Sequence, residues 1–282
     1  MDYQRFAQVE FIASGGFAKV YRAVDLWTQK TVALKQLGNP TPDLVQRLKR
    51  ERDMLTIHAD NPFVVNIFDS SFDGPNPFLV LEYSSLGSLQ EYVVKRRDWR
   101  RIAGWLFDIS YGLTMIHERG DFVRDIKPSN LLRFKRADGS DLIKIADFGL
   151  AQRPDDLRAR MTTSVFGTKG YIDPVAQASG KFRAASDIYS LGITTIELLT
   201  GTRNVWSRVP GTPEFRTLIA SMICSDVDKR PSAREILQQV QTILRAPTGP
   251  AAGAPTSNGL GWLLAGAAVV VGACLLANTE GR

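Results

Sequence analysis

The sequence predicts an α+β chain of two lobes, β-rich over about 6–83 and helical over about 84–245. A flexible linker (246–259) and one transmembrane helix (260–277) are expected to follow. Three observations predict this arrangement. Apolar and polar residues alternate early in the chain, which is the period of a half-buried strand. From Ser88 onward apolar residues recur at helical spacing. The tail then changes character: Leu260 to Ala277 is 18 residues of nearly pure apolar sequence, and no charged residue lies between Arg245 and Glu280.

Length and composition bound the function. A chain of 282 residues can bury a sizeable core. Its 44% hydrophobic and 23% charged residues are ordinary for a globular protein. A net charge of +6 suits a membrane surface or acidic partners. Aromatic and basic residues are not interleaved as in nucleic-acid motifs, so no nucleic acid is expected as a partner. Lys95, Arg96, Arg97, Arg100 and Arg101 read as a solvated cationic face. Cys224 and Cys274 match no metal spacing and make no disulfide framework, which fits a reducing compartment. Met1 to Glu10 is polar and mixed, unlike a signal peptide.

In chain order, Val9 to Leu37 reads as three strands, with alternation clearest at Val20 to Val24 and a short β-rich run at Thr31 to Lys35. Between the first two lies Ile12-Ala13-Ser14-Gly15-Gly16-Phe17-Ala18, whose glycines let backbone amides approach phosphate closely. Asp43 to His58 is an amphipathic helix carrying Leu44, Leu48 and Leu55 among charges. Phe63 to Phe72 and Pro77 to Tyr83 read as two more strands. Ser88 to Arg119 supplies two core-facing helices, with His117 as a packed helix-end residue rather than a base. A helix runs from Asp187 through Leu199, and a last one covers about Ser232 to Arg245.

Pro247 to Gly259 has the Pro, Gly, Ala, Ser and Thr of a flexible linker. At ~1.5 Å per residue the following apolar stretch is ~27 Å long as a helix, near the hydrocarbon thickness of a bilayer. The expectation is a single-pass tail anchor with the folded domain in the cytoplasm. Gly261 with Ala265, and Ala268 with Gly272, have the small-xxx-small spacing that pairs helices, so a homodimer is open.

The chemistry gathers in Phe122-Val123-Arg124-Asp125-Ile126-Lys127-Pro128-Ser129-Asn130 and in Leu142 to Gly149. Asp125 can accept a proton from a hydroxyl, Lys127 can neutralise phosphate, and Asn130 can offer an oxygen to a metal. Asp147 is a hard carboxylate suited to Mg²⁺. Positioning and fixed opposite charge are what phosphoryl transfer requires. These stretches resemble the H-R-D-x-x-x-x-N and D-F-G motifs of the protein kinase family. The Gly15 loop with Val32-Ala33-Leu34-Lys35 resembles the family's glycine loop and V-A-I-K strand. Gly167-Thr168-Lys169-Gly170-Tyr171-Ile172-Asp173-Pro174-Val175 resembles its activation segment.

The resemblance spans about Phe6 to Arg245 and implies a two-lobed protein kinase-like fold that uses ATP and Mg²⁺, or Mn²⁺, to phosphorylate Ser or Thr of proteins. It implies that Lys35, paired with Glu51, holds the α- and β-phosphates. Asp125 would orient the acceptor hydroxyl and take its proton, Lys127 would steady the γ-phosphate, and Asn130 with Asp147 would bind the metal. The remaining nucleotide contacts it implies are Ile12, Ala13, Ser14, Gly15, Gly16, Phe17, Ala18 and Val20 of the loop, Ala33, and Leu81, Glu82 and Ser84 of the hinge. Thr168 would sit beside Asp125 and Lys127. Thr162, Thr163 and Ser164 are candidate phosphosites, with Arg124 as a partner for the added charge. The Asp-x-Lys-Pro form resembles serine/threonine members, and Ser186 to Gly192 resembles bacterial ones.

Several positions depart from the family. Ala13 and Ala18 replace the first and third glycines of the loop. Val123 replaces a histidine and has no side-chain donor for Asp187, so a looser catalytic loop is expected. Val175 replaces a glutamate that pairs with an arginine matched by Arg230. Either another carboxylate serves Arg230, or the segment is less firmly anchored. From Gly201 to Arg230 the chain is short, so trimmed substrate-docking helices are expected. A pseudokinase scaffold that binds nucleotide or partners without catalysis is the competing expectation, opposed by Lys35, Glu51, Asp125, Asn130 and Asp147. A small-molecule kinase is a third, opposed by the activation-segment pattern.

Overall fold

Alternation in the first third of the chain builds a sheet of five antiparallel strands in the order β1-β2-β3-β5-β4. The strands are β1 (Phe6–Ser14), β2 (Ala18–Asp25), β3 (Lys30–Leu37), β4 (Ile67–Ser71) and β5 (Phe78–Glu82). Register places Lys35 opposite Val20 on one side and Leu79 on the other. The computed structural model describes residues 5–15, 18–93, 98–151 and 167–246. Gly16, Phe17, Lys95 to Arg97, Thr162 to Ser164 and the apolar stretch Leu260 to Ala277 lie outside the described residues.

Helix α1 (Pro42–Ile57) packs on this sheet. Thr41 caps it by accepting the Leu44 amide, and Pro42 occupies the first turn, where an N–H would have no helical partner. Such a cap contributes about 1 kcal/mol. The buried face of α1 carries Leu48, Met54 and Leu55, and among them a carboxylate, Glu51. An apolar stripe is thus interrupted at the one place where a partner for a lysine is needed.

The second lobe is helical: α2 (Trp99–Glu118), a β6 (Leu131–Lys135) and β7 (Asp141–Ile145) hairpin, α3 (Pro174–Ser179), α4 (Ala184–Thr200), α5 (Pro213–Met222) and α6 (Ala233–Arg245). Ile102, Leu106, Ile109, Leu113 and Ile116 of α2 meet Leu191, Ile196 and Leu199 of α4 and Ile236 and Val240 of α6 in one core. Gly192 is needed where α4 meets the end of α5, because a Cβ there would lie 2.6 Å from Ile223 Cγ2. Ser232 and Glu235 form a capping box that starts α6.

Two expected elements come out shorter. The strand expected over Phe63 to Phe72 is only Ile67–Ser71, because the preceding residues pair with the other lobe: Val65 N donates to Ile145 O (3.0 Å) and Ile145 N to Phe63 O (2.8 Å). The first of the two helices expected after Ser88 is a single 3-10 turn, Leu89–Tyr92. Among the described residues no helix is long and apolar enough to cross a membrane.

Candidate active site

Strand β3 and helix α1 bring Lys35 and Glu51 together. Lys35 Nζ lies 2.7 Å from both Glu51 oxygens and 3.0 Å from Asp147 Oδ1. Burial opposes the charge on Lys35, but the two carboxylates outweigh it and raise its pKa, so the ammonium is firmly held. Burial would likewise raise the Asp147 carboxyl, and the Lys35 ammonium instead holds it below the usual carboxylate range. Asp147 adopts a left-handed backbone, φ +64°, and its Oδ1 accepts the Gly149 amide at 3.3 Å. The neighbouring Phe148 is fully buried, its ring stacked on His58 at a centroid distance of 6.1 Å. His58 Nε2 in turn bonds Asp121 Oδ2 at 3.1 Å, on the approach to the catalytic loop.

That loop is held from below by one carboxylate. Asp187, fully buried in the first turns of α4, accepts the backbone amides of Val123 (2.9 Å) and Arg124 (2.8 Å) and a bond from His117 Nε2 (3.0 Å). Arg124 is left-handed, φ +70°, a conformation costing a non-glycine residue about 1–2 kcal/mol, and Asp187 stabilises it by taking its amide. The looser loop expected from Val123 is therefore corrected. Backbone amides and an imidazole from the end of α2 fill the carboxylate that a histidine at 123 would have met.

Above this anchor, Asp125 collects four donors. Its Oδ2 takes Lys127 Nζ (2.7 Å) and Asn130 Nδ2 (3.0 Å), and its Oδ1 takes the Thr168 amide (3.2 Å) and hydroxyl (2.8 Å). Lys127 Nζ also reaches Thr168 Oγ1 at 2.6 Å. Thr168 thus shows an alcohol held between a carboxylate and an ammonium, the pairing that an acceptor hydroxyl requires. Asn130 Nδ2 also donates to Asp125 O (2.9 Å), so both amide bonds run to Asp125 and the amide oxygen is oriented away from it. Ala146 N donates to Asn130 O at 2.8 Å, which brings this amide next to Asp147, whose side chain is 41% exposed. Mg²⁺ is commonly bound through one or two such groups together with substrate phosphates, so these donors fit it.

The open question about Arg230 resolves in favour of another carboxylate. Its guanidinium makes a bidentate pair with Asp173 (2.8 and 2.9 Å), and the two side chains are 0% and 1% exposed. Arg230 Nε adds a bond to Cys224 O (2.7 Å), while Asp173 also accepts the Ser186 hydroxyl (2.9 Å) and the Val175 amide (3.0 Å). Val175 itself is 38% exposed.

On the nucleotide side, Gly15 N donates to Ala18 O (2.8 Å), with Ala13 opposite Val20 and Ser14 opposite Lys19. Ile12 is exposed, Ala18 buried, and Val20 and Ala33 half-buried; Ala33 lies opposite Leu81. The Glu82 carboxylate is fixed by Lys144 Nζ (3.0 and 2.7 Å) and Asn66 Nδ2 (2.9 Å), and the Ser84 hydroxyl donates to Arg133 O. Sequence reasoning missed Asn66, Lys144 and His58, since no spacing relates them to their partners. It also passed over Asp173, although a carboxylate two residues from Val175 was visible.

A β-rich lobe bearing Lys35 and Glu51, and a helical lobe bearing Asp125, Lys127, Asn130 and Asp147, define a two-lobed phosphotransferase-type fold. The protein kinase domain family model matches residues 6–212. The serine/threonine-protein kinase PknL of Mycobacterium tuberculosis is 34% identical over 194 residues, covering 67% of this chain and 48% of the relative. A probable serine/threonine-protein kinase of Arabidopsis thaliana, PBL28, is 33% identical over 213 residues, covering 71% and 55%. The chain spans about half the length of these two relatives. It belongs to the protein kinase domain family, whose members use ATP and Mg²⁺.

Proposed function

We propose that this protein is an ATP- and Mg²⁺-dependent kinase of Ser and Thr residues in proteins, and that Leu260 to Ala277 anchors it in a membrane with the kinase domain in the cytoplasm. The single observation that carries the kinase reading is the Asp125, Lys127, Asn130 and Thr168 assembly: a carboxylate and an ammonium already share a threonine hydroxyl. The Ser/Thr kinase names of relatives in bacteria and plants support the same reading.

ATP with Mg²⁺ supplies the transferable phosphoryl group and neutralises charge as it moves. The residues of the chain do the rest. Lys35, held by Glu51, binds the α- and β-phosphates, and the amides of the Ser14 to Ala18 turn approach the phosphate chain. Ala33 and Leu81 flank the adenine, with the backbone of Glu82 and Ser84 at its edge. Asn130 and Asp147 hold the metal. Asp125 orients the acceptor hydroxyl and takes its proton, and Lys127 steadies the γ-phosphate. The domain also phosphorylates its own activation segment at Thr162, Thr163 or Ser164. Pairing of two tails through Gly261 and Ala265 is the route to a homodimer.

Of the three departures that motivate the pseudokinase reading, Val123 and Val175 lose their force, because His117 and backbone amides serve Asp187 and Asp173 serves Arg230, and the altered glycine loop with Ala13 and Ala18 is left. The test is incubation of the purified chain with Mg²⁺ and labelled ATP beside Asp125→Asn, with phosphosites mapped by mass spectrometry. Label in the parent alone is expected. Equal label in both proteins, or none in the parent while it still binds nucleotide, would overturn the reading.

A further inference from the structure

We propose that the acceptor Ser or Thr of the protein substrate is flanked by acidic residues, which Lys169 and Arg203 receive next to the phosphorylation site. The inference rests on the kinase reading above and names the substrate class of that site.

Asp125 and Thr168 mark where the acceptor hydroxyl is held. From Gly167 to Arg203 the sequence has four cations, Lys169, Lys181, Arg183 and Arg203, and all four are exposed. The same stretch has three carboxylates, and each is engaged internally. Asp173 is bound by buried Arg230, Asp187 holds the catalytic loop, and Glu197, 12% exposed at its side chain, accepts the Tyr171 hydroxyl. Among the described residues of this stretch the exposed charges are therefore all positive.

Arg203 is built into that surface. Its Nη1 donates to Lys169 O at 3.0 Å, and its guanidinium lies over the Tyr171 ring at 5.1 Å. Gly170, at φ +94°, makes room for it, since a Cβ at that position would collide with the guanidinium. Glu197 approaches Arg203 at 3.9 Å but is shared with Tyr171, and Arg203 keeps 45% of its side chain exposed. Further along, Val175, Ala176 and Val227 line a cavity of about 230 Å³ that Lys181 and Arg183 also border. The acid that lines it is Asp173, which Arg230 engages, and beside Val227 in sequence Asp226 is paired with Lys229 at 3.2 Å. A basic substrate would meet Lys169 and Arg203 with no available carboxylate among the described residues of this stretch, whereas an acidic one would neutralise them.

The experiment uses the full chain and three peptides that share one acceptor serine flanked by Asp and Glu, by Ala, or by Lys and Arg. The acidic peptide should show the lowest KM, with kcat little changed, and its advantage should shrink as salt is raised, as for exposed charges. Lys169→Gln and Arg203→Gln should each raise KM for the acidic peptide by about two- to fivefold, the worth of one exposed ion pair, and leave the alanine-flanked peptide unchanged. An equal or lower KM for the basic peptide, or variants that slow all three peptides alike, would overturn the proposal. Label on none of the three peptides while the chain labels itself would overturn this inference alone, and label on neither the peptides nor the chain would remove the kinase reading with it.

Discussion

Replacing Asp173 with Asn should destabilise the helical lobe by about 3–5 kcal/mol, the cost of stripping one partner from a buried ion pair. The structure places this change at the high end. Arg230 is fully buried and keeps its bonds to Cys224 O and Ala185 O, so its charge stays inside while its counter-charge is lost. An asparagine would also turn an N–H toward the guanidinium. For a domain of this size the melting temperature should fall by roughly 6–20 °C, at about 2–4 °C per kcal/mol. Thermal unfolding followed by circular dichroism measures it. A loss below about 1 kcal/mol would refute the reasoning and mean that Arg230 is solvated.

The same pair fixes a pH dependence. Burial would raise the Asp173 carboxyl, yet Arg230 lowers it below its unfolded value. The stabilisation is then fully present above the unfolded pKa, about 4, and is lost as pH falls through the lower folded value. Parent and Asp173→Asn should therefore converge in stability in acid and diverge above about pH 4.

Lys35→Met should abolish phosphate transfer while leaving the domain folded, with a lowered melting temperature because buried Glu51 loses its counter-charge, and Asp125→Asn should slow transfer by about 10²–10⁴-fold; full activity in either would refute the assigned roles. His117→Ala removes one donor from Asp187 and should cost about 1–3 kcal/mol with a fall in kcat; an unchanged kcat would mean that the amides of Val123 and Arg124 hold the loop alone. Deleting Leu260 to Arg282 should release the protein from membranes, and continued sedimentation with vesicles would place the anchor elsewhere.

The parts of the fold legible in the sequence are those set by local period and spacing. Strands β1 to β3, helix α1 and helices α4 and α6 follow from apolar patterns within single stretches, and Asp125, Lys127 and Asn130 are read from one nonapeptide. What escaped depends on partners far apart in the chain. Glu82 meets Lys144 and Asn66 because the end of β5, the end of β7 and the stretch before β4 converge. Phe63 to Val65 has the apolar content of a strand, but its hydrogen bonds go to Ile145 in the other lobe. No periodicity within ten residues encodes such a choice. The phosphosite cluster and the apolar tail fall outside the described residues and stand on sequence alone.

The two substitutions that made the chain look defective show why motif letters and site chemistry come apart. What a buried guanidinium requires is a carboxylate within about 3 Å, not a glutamate at a given register. Asp173 meets that requirement because it caps α3: its carboxylate accepts the Val175 amide, which fixes the side chain where Arg230 and Ser186 also reach it. A shorter acid two residues earlier thus does the work of a longer one later. Asp187 follows the same logic. It has two oxygens to satisfy, and two amides with one imidazole satisfy them, so a valine at 123 removes a side-chain donor without orphaning the acceptor. Val123 is instead fully buried in the apolar core, a position that accepts its methyl groups at no polar cost. Loss of a motif residue that only supports the site argues for a damaged site when it leaves a buried charge unmatched, and among the described residues neither change does.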